Sequence, residues 1–134
     1  MKFIKLNMKK VLVFVLLMAA FVTASAQDVM RKEKDGTYIV NTTTLAQDVE
    51  GYAGVTPVEV YIKKDKIVKV VMLKTQDGPK YVAKVNKTMI PQYENMNVKK
   101  GTVQEVDAVT GATFTSKAVQ ENIRRAVDYY KKHK

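Results

Sequence analysis

The sequence predicts an α+β domain: a small antiparallel sheet with a central hairpin, packed by a short middle helix and a longer C-terminal helix. Three observations carry this. VEVYIKKDKIVKVVMLKT (58–75) alternates apolar and polar residues on either side of a Lys64-Asp65 pair, the pattern of a hairpin. Tyr81, Val85 and Met89 recur at i, i+4 and i+8, the period of a helix. Val119, Ile123, Ala126, Val127 and Tyr130 then mark one face of a second, longer helix. Helices that follow hairpin strands rather than alternate with them pack against an antiparallel sheet.

The first 26 residues are set apart. Lys2, Lys5, Lys9 and Lys10 precede an apolar run from Val11 to Val22, and Ala24-Ser25-Ala26 is a small-residue cleavage site. This is the pattern of a secretory signal peptide, and the run is shorter than the roughly 20 residues that span a bilayer. The expected products are a leader (1–26), a flexible polar segment (27–35) and one domain (36–134). The protein is expected to be exported to a periplasm or secreted, and to be membrane-associated if the leader is retained.

In order along the domain, GTYIVNTTTLA (36–46) is rich in β-branched and aromatic residues and is expected to be a strand. Gly51, Gly54 and Pro57 punctuate the next stretch as a loop or bulged crossing. In the hairpin, Val58, Val60 and Ile62 share one face. The return strand places Val68, Val70 and Met72 on one side and Ile67, Val71 and Leu73 on the other, the pattern of a strand covered on both faces. Asp77 is expected to cap the middle helix, with Pro79 in its first turn and Pro91 stopping it. Residues 91–102 are expected to form a loop and TVQEVDAV (102–109) a short strand. Thr115 or Ser116 is the expected cap of the last helix, whose polar side carries Glu121, Arg124, Arg125 and Asp128.

The chain of 134 residues has 23 Lys and Arg against 13 Asp and Glu, a net charge of +10 that falls when the four leader lysines leave. The lysines are spread over many segments instead of forming one basic stripe, which argues against a nucleic-acid partner. Cysteine is absent, which excludes disulfides, iron–sulfur ligation and thiol chemistry. The single histidine, His133, lies in the terminal KKHK, so a histidine-based triad or zinc site is not expected.

One stretch concentrates chemistry. DAVTGATFTS (107–116) carries four hydroxyl side chains around Gly111-Ala112, where the chain reverses before its longest helix. Gly111 permits a turn at positive φ. The first N–H groups of a helix lack internal partners and favour an anion. Two readings follow: Thr and Ser cap the helix, or Thr113, Thr115 and Ser116 surround a phosphate. The GxxxxGK[ST] and GxGxxG spacings are both absent.

DAVTGATFTSKAV resembles the signature of the FMN-binding domain family, Asp-x-x-(Ser/Thr)-Gly-Ala-(Thr/Ser). The matching residues are Asp107, Thr110, Gly111, Ala112 and Thr113, followed by Thr115-Ser116. The family includes exported flavin-carrying subunits of the sodium-pumping NADH:quinone oxidoreductase and of Rnf-type complexes. DGTY (35–38) resembles its opening strand, and GYAGVTPVEVYIKKDKIVKVVML (51–73) its Gly-Tyr-x-Gly segment and hairpin. Where many members carry a Glu-Thr-Pro-Gly-like stretch, this chain has KTQDGPKYV (74–82).

The resemblance implies an electron carrier rather than a self-sufficient enzyme, with no catalytic residue of its own. FMN would be joined as a phosphoester to Thr113 by a separate, magnesium-dependent FAD:protein FMN transferase. Asp107 and Thr110 would serve recognition or hold the turn, and Gly111 and Ala112 would leave room for the phosphate. The partners would be that transferase and redox proteins, soluble or membrane-bound. By residue type, Tyr52, Phe114, Tyr61 and Tyr93 are candidate walls for the flavin ring, Tyr52 first among them. The alternatives are reversible FMN binding and a secreted α+β protein-binding module without cofactor.

Overall fold

A computed structural model describes residues 29–134; the leader expected over 1–26 lies outside the described residues. Four antiparallel strands form one sheet in the order β1 (Met30–Lys32), β2 (Tyr38–Asn41), β3 (Val58–Lys63) and β4 (Lys66–Met72). Helix α1 (Pro79–Lys84) runs through a π turn (Val85–Met89) into a 3₁₀ turn (Ile90–Tyr93). Helix α2 (Thr113–His133) closes the chain. The α+β arrangement expected from the sequence is the one observed.

The hairpin follows its local chemistry. Lys64 and Asp65 both take positive φ (51° and 60°), as a two-residue turn matched to strand twist requires. Val58, Val60 and Ile62 are buried, while Glu59 and Tyr61 face the other way. On that outer face Arg31 pairs with Glu59 (3.2 Å), and the Lys69 ammonium lies 4.4 Å from the Tyr61 ring. The sheet therefore has one dry face and one wet face.

The return strand departs from expectation. β4 is the edge strand, not a central one, and Val68 is 46 % exposed. Tyr61 pairs with Lys69 and Ile62 with Ile67, so Val68 is the extra residue of a bulge. The bulge brings Ile67 and Val70 to the same buried face although they are three positions apart. Simple alternation missed this because it assumes an unbroken register. A short segment covers the start of the edge: Ile67 N–H donates to Met96 O (2.9 Å) and Asn95 N–H to Ile67 O (2.7 Å).

Other boundaries also shift. Met30–Lys32, in the segment expected to be flexible, pairs with β2. The strand expected over 36–46 is confined to 38–41; Thr42 N–H still donates to Val58 O (3.0 Å), and the chain then turns over residues 43–48. Residues 103–109 form no ladder; they are tied to α2, where Gln120 Nε2 donates to Val106 O (2.7 Å). Asp77 does not cap α1. Gly78 holds that position, with Pro79 in the first turn, and Pro91 opens the 3₁₀ turn.

The core lies between the dry sheet face and the helices. Val40, Val60, Ile62 and Ile67 meet Val85, Met89 and Tyr93 from the middle segment and Val119, Ile123 and Val127 from α2. Within it sits a small polar network. Thr42 Oγ1 donates to Asn122 Oδ1 (2.5 Å) and accepts Val58 N–H (2.9 Å). Asn122 Nδ2 donates to Ala118 O (2.8 Å) and Thr56 Oγ1 (3.4 Å). Every polar atom there is satisfied, so α2 is held at one height against β2 and β3. At the far end Tyr130 Oη donates to Asp65 (2.6 Å), fixing the hairpin tip to the helix terminus.

Replacing Asn122 with Leu leaves the Thr42 hydroxyl without its side-chain acceptor and strands Thr56. Urea unfolding is expected to show a stability loss of about 1–3 kcal/mol. A loss below about 0.5 kcal/mol would show that the network contributes nothing net.

Candidate functional site

The start of α2 is open. Its N-cap is Ala112, and no side chain caps it. The first helical bond runs from Ser116 N–H to Ala112 O (2.9 Å), so the N–H groups of Thr113, Phe114 and Thr115 precede the intrahelical ladder. The expected caps have other tasks. Ser116 is buried and its Oγ accepts the N–H of Val109 (3.0 Å), bracing the turn from inside. Thr115 is buried too, and its Oγ1 donates to Asp77 Oδ2 (2.5 Å). The positive end of a 21-residue helix thus stays uncapped beside Thr113, whose side chain is exposed.

Asp77 is the centre of the surrounding structure. It is 4 % exposed. Its Oδ2 accepts Tyr52 N–H (3.0 Å), and its Oδ1 accepts the N–H groups of Ala53 (2.6 Å) and Gly54 (3.2 Å). One carboxylate so organises the 51–54 loop and ties it to α2 through Thr115. A Cβ at Gly51 would overlap Asp77 Oδ2, so only glycine lets this loop close over the carboxylate. Burial opposes ionisation of Asp77, but the Thr115 hydroxyl and the three backbone N–H groups outweigh it and hold its pKa below the ordinary 3.8.

This clamp gathers a groove of about 210 Å³ lined by Tyr52, Tyr81, Gly111, Ala112, Thr113, Phe114 and Thr115. Tyr52 (65 % exposed) and Phe114 (67 % exposed) stand at its mouth with ring centroids 6.3 Å apart. Tyr81 lies 5.5 Å from Tyr52. Large aromatic rings left this open are unusual in a monomer and mark a binding surface. Gly111 takes φ +83°, and Lys84 Nζ sits close over it: a Cβ there would lie 3.0 Å from the ammonium.

The groove joins Tyr52, Gly111, Ala112, Thr113, Phe114 and Thr115 of the residues singled out by sequence. Thr110 is exposed in the turn just before it. Asp107 lies elsewhere, on a separate cavity of about 420 Å³ that includes Tyr93, Lys117 and Arg124. Tyr61 is on the wet sheet face, and Tyr93 is buried in the core, so neither lines the aromatic groove. Sequence reasoning missed Asp77, Tyr81 and Lys84. Tyr81 was legible only as a core position of α1. Asp77-Gly78-Pro79 has the composition of a helix start, which hid the carboxylate's reach to a loop some 25 residues away.

The family model of the FMN-binding domain matches residues 51–128. The chain belongs to the FMN-binding domain family. The match starts at the loop glycine and runs through the hairpin, the Asp77 clamp, the groove and most of α2. No curated protein and no solved structure matches the chain. Binding of FMN agrees with what the groove offers: aromatic faces for a flat ring, a free helix start and an ammonium for a phosphate.

Because the folded pKa of Asp77 is depressed, the stability it contributes is whole above its ordinary value of 3.8 and is lost as pH falls through the folded value. The amide resonances of Tyr52, Ala53 and Gly54 should therefore hold steady above that range and shift together below it. Asp77→Asn is expected to abolish the shared transition; resonances that titrate as in wild type would remove Asp77 from its cause.

Proposed function

We propose that the protein is an exported electron carrier whose FMN is held as a phosphoester on Thr113, formed by a separate FAD:protein FMN transferase that uses magnesium. The observation that carries this reading is the exposed Thr113 side chain at an uncapped helix start, inside a groove that also presents Tyr52, Tyr81 and Phe114. Thr113 is read as an acceptor and not a catalytic nucleophile: the groove's lining contains no carboxylate or histidine to take its proton. The transferase supplies that base. The Thr113 oxygen forms a bond to the FMN-side phosphorus of FAD, the phosphoanhydride bond breaks, and AMP leaves.

Each residue of the motif then has a task. Gly111 and Ala112 keep the turn uncrowded beside the ester. Thr115 and Ser116 hold the helix start from within, which leaves Thr113 free. Asp107 and Thr110, both exposed, are accessible to the transferase. Tyr52, Phe114 and Tyr81 form the wall for the ring. The bound flavin supplies the electron chemistry; the chain supplies attachment, orientation and access. A groove of about 210 Å³ is smaller than the roughly 300–1,000 Å³ of an enclosing ligand site, so part of the ring stays exposed. Exposure suits exchange of electrons with a docked protein, soluble or membrane-bound.

Denaturing mass spectrometry of protein co-expressed with the transferase is expected to show the mass of FMN less water, absent in Thr113→Val. Tyr52→Ala should keep the ester but alter the flavin absorbance and fluorescence. Yellow protein whose flavin is released by denaturation would favour reversible binding. A colourless chain of unmodified mass would defeat the carrier reading.

A further inference from the structure

We infer that Lys84 is the phosphate-recognition residue of the groove, making the site selective for a flavin that carries a phosphate. The inference rests on the flavin reading above and adds to it a residue outside the attachment motif. Lys84 ends α1, three positions after Tyr81, so the two share a face of that helix. Tyr81 lines the groove wall. A Cβ at Gly111, two residues before Thr113, would lie 3.0 Å from Lys84 Nζ.

The ammonium has no evident reason to be there without an anion. Among the described residues Lys84 forms no ion pair. A lysine free to choose extends into water, because holding its long side chain costs rotamer entropy. Here the charge lies instead beside the open start of α2, whose own partial charge is positive. Two like-signed features converge on one turn with no carboxylate between them in the groove's lining. A phosphate relieves that repulsion and satisfies both.

The same contact gives Gly111 a second role. Its positive φ shapes the turn, and its missing side chain lets the ammonium approach the backbone. α1 thus offers two chemistries from adjacent turns: an aromatic face for the ring and a point charge for the phosphate.

The test uses protein produced without the transferase, titrated at low salt with FMN and with riboflavin and followed by flavin fluorescence. Wild type is expected to bind FMN about tenfold more tightly than riboflavin, a difference of one charge-assisted contact. Lys84→Met should erase that preference while leaving riboflavin binding within about twofold, and Lys84→Arg should keep it. A preference that survives Lys84→Met overturns the assignment, as does a wild type that binds both flavins equally. If the apo-protein binds neither flavin, the rate of ester formation at Thr113 from FAD and transferase is read instead. That rate should fall about tenfold in Lys84→Met and recover in Lys84→Arg; equal rates overturn the assignment. A wild type that acquires flavin by neither route defeats the flavin reading itself, and this proposal with it. A failed Lys84 assignment leaves wild-type flavin uptake intact, so the two failures are distinct.

Discussion

The buried carboxylate of Asp77 is the constraint on which the site depends. Three consecutive N–H groups of the 52–54 loop and the hydroxyl of Thr115 converge on it. A buried charge is costly unless every lone pair is met by a donor, and here four donors meet two oxygens. The loop therefore has little freedom to choose another conformation while Asp77 is ionised. Tyr52 is placed at the groove's mouth by this backbone geometry and not by packing of its own ring, which is mostly in solvent. An exposed aromatic with a rigid backbone is a pre-organised surface: its ordering cost is met during folding, not on binding.

The residues around the helix start leave it uncapped. The N-cap position is held by Ala112, which has no side-chain acceptor, and the hydroxyl of Thr115, inside the first turn, is committed to Asp77. Ser116 is committed to Val109 N–H. Both interactions hold the first turn of α2 in place while leaving its N–H groups unused. Capping would have stabilised the helix by about 1 kcal/mol and engaged one of those N–H groups. The 21-residue length of α2 and its packed apolar face make that omission tolerable, since tertiary burial and not the cap carries the helix.

Much of the fold was legible because periodicity reports burial directly. Val58, Val60 and Ile62, and Val119, Ile123 and Val127, lie in the core as their spacing required. The errors share a cause: interactions between residues distant in sequence overrode local pattern. The bulge at Val68 altered which residues of β4 face inward, and the edge position of β4 followed from chain topology and not from its composition. Asn122 falls on the apolar face of α2 by spacing, three positions after Val119 and four before Ala126, but its type does not show that Thr42 and Thr56 meet it there from other segments. At the site, Thr113 and its flanking motif were legible as a pattern. Tyr81 and Lys84 were not, because nothing in α1 alone says that its exposed turn faces residue 111.

The division of labour among the four hydroxyls follows from burial, not from residue type. Thr115 and Ser116 are buried and have partners; Thr110 and Thr113 are exposed. An enzyme that modifies a hydroxyl must reach it and must find it unengaged. That condition removes Thr115 and Ser116 outright. Between the remaining two, only Thr113 lines the groove where aromatic rings stand, so a phosphate attached there leaves its organic part over Tyr52, Tyr81 and Phe114. Attachment at Thr110, outside the lining, would direct the same group away from that wall. Under the proposed attachment, the sequence motif and the geometry favour the same oxygen, one by pattern and the other by access and neighbours.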